Sequence, residues 1–128
     1  MKVAMDVRVS TQRQALTQTI EQQLQILYEY SQAHEWPWQE EFIFRDDGYS
    51  GAKLRRPGLD RLRDQIRRAT FDRVIITAPD RLARNYVHQM LLVEEFERGG
   101  CHVEFADRPM SQDPHHQLLL QIRGAVAE

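Results

Sequence analysis

Cysteine occurs once in this chain, at Cys101, which excludes an internal disulfide and any cysteine-rich zinc cluster within these 128 residues. No apolar run approaches the roughly 20 residues that a membrane span requires, and the N-terminus lacks a signal-peptide hydrophobic region. A soluble, cytoplasmic protein without membrane association is therefore expected. Internal repeats, low-complexity tracts and linkers are also missing, so residues 1–128 are expected to form one domain with a real core. Lysine is nearly absent: of 17 basic residues only Lys2 and Lys53 are Lys, and the other 15 are Arg. Arginine presents a planar fork suited to carboxylates and phosphates, whereas Lys is the commoner choice for simple solubility.

A sequence pI near 6.2 argues against a nucleic-acid binder held by overall charge alone. The charge is nevertheless uneven. Residues 1–44 carry a net −3 and residues 85–128 a net −4, while residues 45–84 carry +5. A basic middle offers a phosphate-rich partner a place to dock, or it is a helix with a solvated arginine face.

Apolar periodicity predicts alternating strands and helices. Residues 2–7 read as a strand running into Arg8-Val9-Ser10-Thr11. Ile20, Leu24, Leu27 and Tyr28 share a face of a helix over 17–34. A second strand is expected over 36–44, ending in Phe42-Ile43-Phe44, with a polar loop over 45–56. Pro57 suits the first turn of a helix whose buried face carries Leu59, Leu62 and Ile66, with Arg61, Arg63, Arg67 and Arg68 largely off it. Val74-Ile75-Ile76-Thr77 is a β-branched strand. A helix follows over 86–98, ended by Gly99-Gly100, then a strand over 101–106 and the start of a helix over 118–126. Such alternation implies an α/β layered fold with a largely parallel sheet.

In that fold, chemistry sits in the loops after the carboxyl ends of the strands, here 8–13, 45–56, 78–85 and 107–113. Arg8 and Ser10 point to one side of an extended stretch, where a guanidinium can hold a phosphate against the hydroxyl. A Ser N-cap beside a surface Arg fits the same spacing. Arg81 and Arg84 would share a face of a helical turn and grip two phosphate oxygens, with Asp80 orienting one of them. An exposed Arg pair with Asp80 as N-cap is the alternative. The loop over 45–56 adds Asp47, Arg55 and Arg56 beside glycines. His115-His116 lacks metal-ligand spacing, Cys101 is expected buried and inert, and Trp36 and Trp38 are expected to pack rather than to stack on bases.

At these residues the sequence resembles the serine site-specific recombinases, the resolvase/invertase family, over essentially the whole chain. The family's Tyr-Ala-Arg-Val-Ser block is similar to Asp6-Val7-Arg8-Val9-Ser10. Its helix glutamine resembles Gln23 in Ile20-Glu21-Gln22-Gln23-Leu24. Asp47-Gly48-Tyr49-Ser50-Gly51 with Arg56-Pro57-Gly58-Leu59, and Asp80-Arg81-Leu82-Ala83-Arg84, resemble two further blocks. Gly124 to Glu128 resembles the start of the family's long dimerising helix, so the domain is expected to be cut off there. Ala78-Pro79 before Asp80 tilts the resemblance toward the large transposon- or phage-type members.

The resemblance implies a three-layer fold with a central, mostly parallel sheet of four to five strands flanked by helices. It implies DNA cleavage and rejoining through a 5′-phosphoserine on Ser10. Arg8, Arg81 and Arg84 would bind the scissile phosphate, Arg56 would assist, Asp80 would orient an arginine or share its proton, and Gln23 and Asp47 would complete the shell. No cofactor or metal is implied; the partners would be double-stranded recombination sites and further copies, in a dimer and a synaptic tetramer. Asp6, where the family has an aromatic, could pair with Arg8, repel phosphate or lie buried in need of a partner. A second reading follows from it: a catalytically impaired domain serving as an assembly or regulatory module. A hydrolytic nuclease on the same fold is a third.

Overall fold

Residues Val3–Val9 form strand β1, and nearly all of them are buried, the mark of a strand covered on both faces. Val3, Met5 and Val7 pack with Ile20, Leu27 and Ile75 on one side. Ala4 packs on the other with Leu59, Leu62, Val74, Ile76 and Phe96. The structure, a computed structural model, describes residues 1–10 and 19–107. The helix expected over 118–126, the segment from Gly124 to Glu128 and His115-His116 lie outside these residues.

After β1 come α1 (Ile20–Ala33), a 3₁₀ turn at Glu40–Phe42, β2 (Ile43–Asp47), α2 (Pro57–Arg67) and β3 (Arg73–Ile76). The one-turn helix α3 (Pro79–Leu82), α4 (Tyr86–Arg98) and β4 (His102–Phe105) complete the described chain. All strand pairs are parallel, in the order β2-β1-β3-β4. α1 covers one face of the sheet, while α2 and α4 cover the other. This is the expected three-layer α/β architecture, with four strands among the described residues. Because β2 and β3 flank β1 on opposite sides, the strand order reverses at β1, and the region beyond the carboxyl ends of β1 and β3 is where open α/β sheets carry their ligands.

Local chemistry sets the helix limits. Thr19 caps α1 by accepting from the Gln22 amide, and the Gln22 side chain returns a bond to the Thr19 amide. Pro57 opens α2, and α4 ends at Gly99 and Gly100, the latter at φ +82°, which glycine adopts without strain. Arg63 leaves the apolar face of α2 to form a two-pronged bond with Glu95 of α4, at 2.8 and 2.7 Å. Arg68 pairs with Asp64 one turn back on its own helix, and Arg61 is exposed. Cys101 is buried, and burial pushes its thiol up to about 12. No helix among the described residues is long and apolar enough to cross a membrane.

Two elements differ from the sequence reading. The second strand runs Ile43–Asp47 rather than over 36–44, and its Arg45, Asp46 and Asp47 align with Val7, Arg8 and Val9. Trp36 and Trp38, which precede the strand, pack against side chains from α1 and its C-cap as expected: Trp36 stacks on His34 at 4.5 Å, and Trp38 meets Tyr28 edge-on at 5.2 Å. The buried stripe of α1 is Ile20, Gln23, Leu27 and Ser31. Tyr28 is exposed and Leu24 only half-buried, because the helix turns two polar side chains with inward hydrogen-bond partners toward the sheet.

Candidate active site

The alternation of β1 sends Ala4, Asp6 and Arg8 to the α2 side of the sheet. Arg8 reaches over the carboxyl edge and donates from Nη2 to the Asp80 carbonyl (2.8 Å) and from Nε to the Arg81 carbonyl (3.1 Å). Its Nη1 donates to the Tyr49 carbonyl at 3.0 Å. Arg56, wholly buried, donates from Nη2 to the Leu82 carbonyl. A single helical turn leaves most of its carbonyls without intrahelical partners. Two guanidiniums from distant segments therefore hold three successive carbonyls of α3, so its position is set from outside.

Gln23 secures the strand from the opposite face. Its Oε1 accepts from the Arg8 amide at 3.2 Å, and its Nε2 donates to the Arg8 carbonyl at 2.9 Å. A side-chain amide thus stands in for a neighbouring strand where β1 runs past β3. Ser10 follows, half-buried, just beyond the end of β1.

The loop after β2 closes the site. Gly48 and Tyr49 both donate to the Val9 carbonyl, at 2.8 and 3.1 Å, and the Gly51 carbonyl accepts from the Arg84 amide at 2.8 Å. Gly51 is buried; a Cβ there would lie 2.8 Å from Nη2 of Arg8 and 3.1 Å from the Arg84 nitrogen. Only glycine lets the loop pass over the Arg8 guanidinium this closely.

Arg81 and Arg84 do not share a helical face. α3 ends at Leu82, and Ala83 is extended (φ −157°, ψ 147°), so the i,i+3 relation does not apply. The Arg84 backbone is anchored instead on the Gly51 carbonyl. The N-cap of α3 is Ala78 rather than Asp80, which is exposed in the first turn.

Of the eight residues singled out in the sequence, Arg8, Gln23, Arg56, Asp80, Arg81 and Arg84 are joined by these bonds, with Ser10 two residues from Arg8. Asp47 stands apart, exposed at the end of β2. Its neighbour Asp46 turns inward instead. It accepts from the amides of Gly58 (2.7 Å) and Leu59 (2.9 Å) at the start of α2, and it faces Nε of Arg56 at 3.8 Å. Sequence reasoning missed Asp46; the alternation set by Phe44 would have found it, since Phe44 and Asp46 fall on one side of the strand.

Electrostatically the site is a buried cluster. Arg8 has a lowered pKa, first because it is buried and then because Arg56 and Arg81 repel its charge. Asp6 is 1% exposed, and burial pushes its carboxyl up to about 7. Arg56 and Arg8 oppose that shift, and Asp46 adds to it. No group of three or more potential metal ligands occurs among the described residues. A depression of about 400 Å³ lined by Asp60, Arg61, Arg63, Asp64 and Arg67 lies on the outer side of α2 and includes none of the site residues.

Residues 3–128 match the sequence profile described as "Resolvase, N terminal domain". A putative DNA recombinase of Bacillus subtilis (strain 168) is 30% identical over 127 residues, which are 98% of this chain and 24% of that protein. The transposon Tn21 resolvase of Escherichia coli is 35% identical over 86 residues, covering 64% of this chain and 45% of the resolvase. The chain thus spans a quarter to about half the length of these curated relatives. Among solved structures, the N-terminal catalytic domain of TP901-1 integrase superposes with a TM-score of 0.79 at 31% identity, covering 99% of this chain and 94% of that one. A resolvase family recombinase from Streptococcus pneumoniae, at 21% identity and a TM-score of 0.73, shares the fold. With the profile covering nearly every residue, the chain belongs to the resolvase N-terminal domain family.

Proposed function

We propose that this domain cuts and rejoins double-stranded DNA by transesterification through Ser10. The observation that supports the reading is the Arg8 side chain, two residues before Ser10, tying the end of β1 to the Asp80 and Arg81 carbonyls of α3 beside the point where the strand order reverses. In the forward step the Ser10 Oγ–phosphorus bond forms and the phosphorus–O3′ bond breaks. The serine proton passes to the departing 3′ oxygen. The product is a 5′-phosphoserine link and a free 3′-hydroxyl, and the reverse attack reseals the strand. Because the phosphodiester is exchanged rather than hydrolysed, resealing needs no nucleotide.

Serine is a weak nucleophile at neutral pH, so orientation and charge must lower the barrier. Arg81 and Arg84 would approach the phosphate oxygens from α3 and the residue after Ala83, while Arg8, its three nitrogens on backbone carbonyls, would hold α3 beside the end of β1. Guanidiniums placed at those oxygens stabilise the charge that develops on them. Arg56 holds α3, Gln23 holds the end of β1, Asp80 orients an arginine, and Asp47 flanks the entrance. The relatives named as resolvases and as a DNA recombinase support DNA as substrate, and self-association into a dimer and a synaptic tetramer belongs to the same reading. A large member of the family fits the quarter-length match to the Bacillus subtilis protein.

A nicked suicide DNA substrate tests this. Full-length protein should become covalently attached to the 5′ end, and Ser10→Ala should not. An adduct on the alanine variant sinks the assignment of Ser10. Free 5′-phosphate ends without adduct would mean a nuclease. DNA binding with neither product would favour the assembly module that the buried Asp6 carboxylate suggests.

A further inference from the structure

Four charged side chains from β1, β2 and the residue ahead of α2 are buried together: Asp6, Arg8, Asp46 and Arg56. Three are tied to backbone groups. Arg8 donates to three carbonyls and Arg56 to one, and Asp46 accepts from two amides of α2. Asp6 differs, because neither of its carboxylate oxygens has a hydrogen-bond partner. Nε and Nη1 of Arg56 likewise have none. Asp46 is bonded to the α2 amides and faces Arg56 at 3.8 Å, offsetting one of the arginines, and Asp80 is exposed, where solvent screens it. The second buried anion able to offset the mutual repulsion of Arg8, Arg56 and Arg81 is Asp6.

We propose that Asp6 is a positioning residue for strand cleavage, whose carboxylate is the buried counter-charge that keeps the Arg8 and Arg56 guanidiniums on the carbonyls of α3. It thereby fixes where Arg81 and Arg84 stand relative to Ser10. This rests on the strand-cleavage reading of the site. The charges acting on Asp6 come from Arg8 on its own strand, Asp46 on β2 and Arg56 ahead of α2. α3 contributes Asp80 and Arg81, which act on Arg8 in turn. β3 and α4 bring apolar side chains to this layer, among them Val74, Ile76, Leu92 and Phe96. With Asp6 ionised the four groups are neutral overall; with it protonated they carry an unbalanced positive charge away from water. Because burial brings Asp6 ionisation into the neutral range, the site is organised above that range and loosened below it.

The test uses full-length protein as wild type, Asp6→Asn and Asp6→Glu, with Ser10→Ala as blank. Adduct formation on the suicide substrate is measured from pH 6 to 8, and the Arg Nε–H resonances are followed by NMR over the same range. Wild-type adduct formation should rise about tenfold across this window, as expected for one group ionising near its centre. Asp6→Asn should lose that rise and run at least about tenfold slower at pH 8, while Asp6→Glu should keep it. The Arg8 Nε–H signal should shift with a midpoint near neutrality in wild type and stay fixed in Asp6→Asn. An Asp6→Asn profile that follows wild type overturns the proposal. If wild type forms no adduct, the cleavage reading fails separately, and the Arg8 signal still decides the role of Asp6. A signal that does not titrate in wild type refutes it.

Discussion

The burial of Asp6 has a thermodynamic consequence that can be measured without DNA. In the unfolded chain its carboxyl ionises near 3.8; in the fold, burial moves it to about 7. Between those values the folded state holds a proton that the unfolded state has released. Stability from this group therefore falls as pH rises from about 4 to about 7, and it is lowest where Asp6 is ionised in both states. At roughly 1.4 kcal/mol per pH unit, the full penalty above neutrality is on the order of 4 kcal/mol. Asp6→Asn carries no such titration. Its stability relative to wild type should improve between pH 5 and pH 8 by roughly 2–4 kcal/mol, which for a domain of this size is a relative gain in Tm of about 10 °C. Denaturant unfolding of both proteins at the two pH values measures this directly, and only the change in their difference matters. An unchanged difference at pH 5 and pH 8 would show that Asp6 is not a buried titrating carboxyl. Read with the proposed role in cleavage, the same side chain would weaken the fold and organise the site, a trade-off common where function needs a charge in an apolar setting.

Three further outcomes are expected. Gly51→Ala places a methyl 2.8 Å from Nη2 of Arg8 and should displace that guanidinium, costing about 1–3 kcal/mol of stability and at least tenfold in adduct formation; wild-type rates would refute the close approach. Asp46→Ala strips two amide caps and the charge facing Arg56, and thermal unfolding should reveal a loss of about 3–5 kcal/mol, with less than about 1 kcal/mol refuting its buried role. Cys101, its thiol pushed up to about 12 by burial, should resist iodoacetamide at pH 8 in the folded protein and react once denaturant is added; rapid native labelling would contradict its burial.

The parts of this fold read correctly from the sequence are those in which apolar residues alone mark an element. Val74 to Ile76 is a short run that can only be a buried strand, and Leu59, Leu62 and Ile66 line α2 as their spacing requires. The errors arise where a polar side chain is buried for a structural purpose. Gln23 occupies the inner face of α1 because it completes the hydrogen bonding of β1, and Ser31 because it donates to the Trp36 carbonyl. Periodicity assigned those places to Leu24 and Tyr28. β2 was hidden for the same reason, since Arg45-Asp46-Asp47 has the composition of a loop but pairs as a strand. At the site, the residue types on the loops were visible, while the anchoring of the Arg84 backbone was not. That anchor is Gly51, thirty-three residues before Arg84, and no local pattern reports it.

The bonds that hold α3 are among the most distant in the chain. Arg8 reaches carbonyls 72 and 73 residues further on, and Arg56 one that is 26 residues on. Contacts of such long sequence separation form late, after the intervening loops have been closed at an entropic cost. During synthesis, β1 with Ser10 emerges early but has no turn to grip until the chain has grown past Leu82. Ser10 thus exists well before the turn that Arg8 and Arg56 hold. On the proposed reading of the site, incomplete or partly folded copies would carry the serine without the arginines in place, and cutting competence would be confined to chains that have finished folding.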